Sequence, residues 1–162
     1  MNTREEADTT TKVLAVLGSL ALGFTAFINA ILGTLALLSG HLAGAIGDAS
    51  QKSNFDANLT TDAHHVALVA KLVAVGFGLL ALVEFAAGEF LRRRLRNIFV
   101  PIACGMTIAG EAAFSIWAKH FTSLDAIMIV CALFAFWTWH RLPRATRTQD
   151  SRLGGFATTH TV

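Results

Sequence analysis

The chain has 162 residues, 54% hydrophobic and 15% charged, with a mean hydropathy of +0.55 and a formal charge of +2. That balance excludes an ordinary soluble domain and predicts one all-α integral membrane domain, because helices in lipid satisfy their own backbone hydrogen bonds. The small positive charge gives no reason to expect a nucleic-acid partner, since the basic residues group at the ends of apolar runs.

Residues 1–11 are polar, with Arg4, Glu5, Glu6 and Asp8, and lack the apolar core of a secretory signal. They are expected to stay on the chain as a cytoplasmic tail. A first membrane helix is predicted over 12–39, with no charge after Lys12 and ample length for the roughly 20 residues a span requires. Gly18, Thr25, Asn29 and Gly33 recur along it at helical spacing and form a small, polar stripe that should face other helices.

Residues 40–63 read as a long polar connection containing His41, Asp48, Lys52, Asp56, Asn58 and Asp62. The stretch GHLAGAIGDA leaves room for a short interfacial helix, and Thr60, Thr61 or Asp62 can cap the next helix. A second helix over 64–91, the basic turn RRRLRN and a third helix over 98–118 form a hairpin. Pro101 falls in the first turns of the third helix, where a missing N–H is tolerated. A fourth helix is predicted over 123–139, with Thr122 or Ser123 as cap and Asp125 in its first turn. The transmembrane domain therefore covers 12–140, and 141–162 is a polar, basic tail expected to be flexible. The result is a four-helix transmembrane bundle with both termini on one side.

Orientation follows from Lys and Arg. Arg4, Lys12, Arg92, Arg93, Arg94, Arg96, Arg141, Arg144, Arg147 and Arg152 share one side, against Lys52 and Lys119 on the other. Both termini and the basic turn are expected in the cytoplasm, and a bacterial inner membrane is the simplest location. Trp117, Trp137 and Trp139 fall at interfacial depth. Arg92, Arg93, Arg94, Arg96, Arg141 and Arg144 are read as anchors to anionic lipid head groups.

Ionisable groups inside the apolar runs are the candidate site, since an unpaired charge at bilayer depth costs at least ~2.5–3.5 kcal/mol. Lys71 and Glu111, on the adjoining second and third helices, are expected to pair, with Asn29 at similar depth completing an intramembrane polar cluster. Ala67, Ala70, Ala74 and Gly78 beside Lys71, and Cys104, Thr107, Glu111 and Ser115, form stripes that suit this helix contact. A register-fixing buried pair is favoured over a proton relay or quinone head-group site, because no further carboxylate stands in line. Glu84 is a second intramembrane carboxylate, turned by about 140° from Lys71 on a helical wheel and so outside that cluster; it could face another subunit or reach the arginines of the basic turn through water. Glu89 should pair with Arg92 or Arg93.

His41, His64, His65 and His120 all map to the outer side, which permits a metal site on sidedness alone. No HxxxH or HExxH step fixes two ligands on one face, and no histidine lies deep enough for haem. Cys104 and Cys131 have no CxxC spacing and read as small buried residues. No phosphate loop, nucleophile triad or inverted repeat is present in the sequence. The favoured function is a non-catalytic accessory or assembly subunit, with membrane lipids and other subunits or self-association as partners and no cofactor. The alternatives are a small homo-oligomeric transporter or ion conductor using Asn29, Lys71 and Glu111, and a redox component binding quinone or metal.

Overall fold

The computed structural model describes residues 3–52, 57–119 and 121–142, with side chains except at 3–7, 57–59, 117 and 118. Among them all regular structure is helical: α1 spans Thr3–Lys52, α2 Ala57–Arg92, α3 Phe99–Ala118 and α4 Ser123–Arg141. Each contains a stretch long and apolar enough to cross a bilayer.

The first helix starts at Thr3 and runs without a break to Lys52, through the first half of the segment expected to be a polar connection, and α2 takes in 57–63. The reason is the spacing of the α1 glycines. Gly40, Gly44 and Gly47 fall on one face, opposite Ala67 and His64 of α2. A methyl at Gly40 would lie 3.2 Å from the Ala67 carbonyl oxygen, and one at Gly33 3.2 Å from that of Ala74. Glycines that resemble loop residues in the sequence are the seam along which two backbones approach. The Ala67, Ala74 and Gly78 stripe of α2 accordingly packs on α1, where a contact with the third helix was expected.

Gly18 faces Leu91, Asn29 faces Glu84, Gly33 faces Ala74 and Gly40 faces Lys71, so α1 and α2 form one long antiparallel hairpin. Thr107 faces Glu84, and Gly110 lies against Leu80, which sets the register of α3. Carried outward at 1.5 Å per residue, that register brings the end of α3 level with about residue 73 of α2. Beyond this level α1 and α2 continue as a two-helix projection roughly 18 Å long.

At the opposite end α2 closes with Arg93 N–H to Glu89 O at 3.0 Å and Leu95 N–H to Phe90 O at 2.9 Å, Arg94 taking a left-handed φ of 57°. Pro101 occupies the third residue of α3, as its missing N–H permits. Thr122 caps α4: its hydroxyl accepts from the Asp125 N–H while the Asp125 carboxylate accepts from the Thr122 N–H. Leu22, Leu91, Val100, Ala103, Cys104, Ala132 and Ala135 close the half of the bundle nearest the arginines.

Candidate functional site

Glu84 is the centre of the bundle's polar interior. It is fully buried, as are Thr25 and Asn29 of α1 and Thr107 of α3. The Asn29 Nδ2 donates to Glu84 Oε2 at 2.8 Å, the Thr107 hydroxyl is in hydrogen-bond contact with Glu84 Oε1, and Thr25 stands beside the same carboxyl. Three helices thus converge on one carboxyl group. The helical-wheel separation of Glu84 from Lys71 is correct, but Glu84 occupies the inner of the two faces, because that is the side on which α1 and α3 meet α2.

Hydrogen counting constrains this network. The Thr107 Oγ1 also lies 2.9 Å from Ala103 O, and the Thr25 Oγ1 2.9 Å from Leu22 O. A hydroxyl carries one hydrogen. Thr107 therefore has one hydrogen to share between two acceptors, Glu84 Oε1 and Ala103 O. Asn29 Oδ1 is buried and has no partner among the described residues.

One turn further along α3 stands Glu111, 7% exposed, beside Asp125 of α4. Asp125 also meets Ser115, whose hydroxyl donates to Oδ2 at 3.4 Å. Asp125, Glu111 and Glu84 are therefore successive carboxyls, on α4, α3 and α2, along the Thr107, Glu111 and Ser115 face of α3. Asp125 marks the end of this series away from the arginines, and Glu84, level with Thr107, lies about 16 Å in from the end of α3 at 1.5 Å per residue. The sequence contains the signal for it in that stripe; what it lacks is the partner from each neighbouring helix.

Glu111 also enters the wall of a cavity of about 1060 Å³ between α2 and α3, shared with Val73, Phe77, Leu80, Met106 and Phe114. The cavity exists because α2 follows α1 closely and meets α3 least. A second, shallower groove of about 680 Å³ lies on the far face of the α1–α2 hairpin, between Gly23, Ala26 and Ala30 of α1 and Gly78, Ala81 and Phe85 of α2.

The expected cluster of Asn29, Lys71 and Glu111 is divided by the structure. Asn29 joins Glu84, Glu111 joins Asp125, and Lys71 is exposed beside Gly40 with no ion pair to Glu111 among the described residues. The physical reason is the longer hairpin. With α1 and α2 continuing past α3, Lys71 stands level with the end of α3, on the exposed side of α2.

The arginines gather at one end as expected. Arg92 and Arg93 bond Glu89 at 2.8 and 2.7 Å, Arg94 reaches Asp8 at 2.6 Å, and Arg96 and Arg141 lie over the Trp139 and Trp137 rings at 4.8 and 5.3 Å. Arg144 and His120 lie outside the described residues. His41, His64 and His65 are exposed along the projection, with His64 Nε2 3.7 Å from Asp48 Oδ1. Among the described residues no three His, Cys, Asp or Glu side chains converge as a metal site. Cys104 is buried and Cys131 partly so, both as free thiols.

Comparison with known proteins gives no match to a family model, a curated protein or a solved structure.

Proposed function

We propose that the chain is a small integral membrane carrier that binds and moves protons through the series Asp125, Glu111 and Glu84. The observation that carries this reading is the Glu84 cluster: a fully buried carboxyl held by Asn29 and Thr107, with two further carboxyls in line toward one end. Ionisable groups at such depth are costly, and a structural pair would need an opposite charge that this cluster lacks. Thr107 provides a hydroxyl between the carboxyl and the backbone that can exchange donor and acceptor roles as the proton comes and goes.

The arginine end faces the cytoplasm in this reading, with both termini, and the membrane is a bacterial inner membrane. Arg92, Arg93, Arg94, Arg96, Arg141 and Arg144 then meet anionic lipid head groups. Asp125, itself buried, is the carboxyl of the series nearest the outer end, and the apolar packing of Leu22, Leu91 and Val100 closes the cytoplasmic half. Transfer across the membrane requires that half to open.

The test is a proton flux assay in liposomes containing the purified chain and a pH-sensitive dye. Flux above empty liposomes that is abolished in Glu84→Gln supports the carrier. A tight seal under every gradient, or equal flux in Glu84→Gln, rejects it.

One observation favours the assembly-subunit reading beside it: Leu42 and Ile46 are 65% and 48% exposed on the α1–α2 projection, past the end of α3. A gentle-detergent pull-down that recovers a fixed-ratio partner, lost in Leu42→Ser/Ile46→Ser, supports that role; recovery of the chain alone removes it.

A further inference from the structure

The cavity between α2 and α3 has a wall chemistry that selects a ligand class. Its lining is aliphatic and aromatic, with Val69, Val73, Leu80 and Met106 beside Phe77 and Phe114. One carboxyl group enters it, that of Glu111. His65 lies at its rim, roughly 22 Å further along α2 than Leu80 at 1.5 Å per residue. Gly76 contributes to the space by having no side chain, and a methyl there would meet nothing within 4 Å.

A buried carboxylate in such surroundings needs either a proton or a cation. Lys71, the nearest candidate by sequence, is exposed and level with the end of α3, so among the described residues no cation pairs with Glu111. We infer that the cavity binds lipophilic organic monocations, which place their charge at Glu111 and their apolar body among Phe77, Leu80, Met106 and Phe114. Aromatic faces add to this selectivity, since a cation over a ring is attracted by its quadrupole.

Binding balances as an exchange: one monovalent cation enters and one proton leaves Glu111. The titratable groups that face Glu111 are Asp125 from α4 and Glu84 from α2, with His65 on the same cavity wall. Asp125 and Glu84 receive or return the proton, so a cation gradient and a proton gradient are coupled at one residue. The coupling rests on the carrier reading above; the binding does not.

The experiment titrates the full chain, in nanodiscs of zwitterionic lipid, with tetraphenylphosphonium by calorimetry in weak buffer. Triphenylphosphine oxide serves as the neutral control. Phosphonium is expected to bind and release a proton, while the oxide binds at least tenfold more weakly. Glu111→Gln should weaken phosphonium binding at least tenfold, and Gly76→Leu, which fills the space without touching a carboxyl, at least fivefold. Equal binding of the neutral oxide, or unchanged affinity in Gly76→Leu, overturns the proposal. Should Glu111→Gln fail to give a cooperative melt, Gly76→Leu and the neutral control decide. Cation binding without proton flux in liposomes would reject the carrier and leave the cation site standing; proton flux without binding would do the reverse.

Discussion

Asn29 and Glu84, 55 positions apart in sequence, meet at 2.8 Å in the interior of the bundle, both fully buried. This contact ties α1 to α2 at the level where α3 also arrives. Asn29→Ala removes a donor from a buried carboxyl and should destabilise by about 1–3 kcal/mol. A cycle with Glu84→Gln isolates the pair, and its coupling should fall in the range of about 0.6–1.7 kcal/mol found between helices in lipid. Tryptophan-monitored melting in detergent measures both. Additive single effects would mean that the contact contributes nothing.

Thr107 separates packing from hydroxyl chemistry. Thr107→Val keeps the shape and removes the group between Glu84 and Ala103; Thr107→Ser keeps the hydroxyl. Proton flux in liposomes is expected to fall at least about tenfold in the Val variant and less than about twofold in the Ser variant, since a positioned proton donor or acceptor typically contributes that order or more. Equal loss in both would assign Thr107 to packing.

Lys71 offers the opposite expectation. Exposed and at the end level of α3, it should tolerate Lys71→Met with a change within about 0.5 kcal/mol, as surface substitutions do. Its effect on flux should be nil. A loss comparable to that of Glu84→Gln would return Lys71 to the buried cluster.

The α1–α2 seam can be tested by adding bulk. Gly33→Leu must push against the Ala74 carbonyl and Phe77, and should cost about 1–3 kcal/mol, the ordinary range for overpacking. Gly23→Ala, where an added methyl meets nothing within 4 Å, should be neutral or stabilise by about 0.5–1 kcal/mol through helix propensity. Thermal melts of the two variants should therefore move in different directions, and a common shift would contradict the seam.

Asp125 has two jobs, closing the cap of α4 and standing beside Glu111. Asp125→Ala should cost about 0.5–2 kcal/mol of stability from the cap alone. Asp125→Asn keeps a side-chain acceptor for the Thr122 N–H and should recover most of that stability while still lowering flux. Melting and flux that recover together would make Asp125 a cap and nothing more.

The sequence by itself determined the four apolar helices, the hairpin turn of arginines, a cap at Thr122 or Ser123 and the inward stripe of Thr25 and Asn29. These rest on period, composition and caps, which act within a few residues. It also marked Glu84 and Lys71 as opposite faces of one helix. Only the tertiary structure decided which face is inside. The Gly40, Gly44 and Gly47 run looks like loop chemistry in isolation, and becomes a helical seam once α2 presents Ala67 and His64 to it. That longer hairpin shifts the level of every residue on α2 relative to α3, so Lys71 falls at the end of α3 and Glu84 meets Thr107. A pairing between helices depends on their register, and register is set by contacts far apart in the chain. The carboxyl series of Asp125, Glu111 and Glu84 draws one residue from each of three helices, and no local pattern contains it.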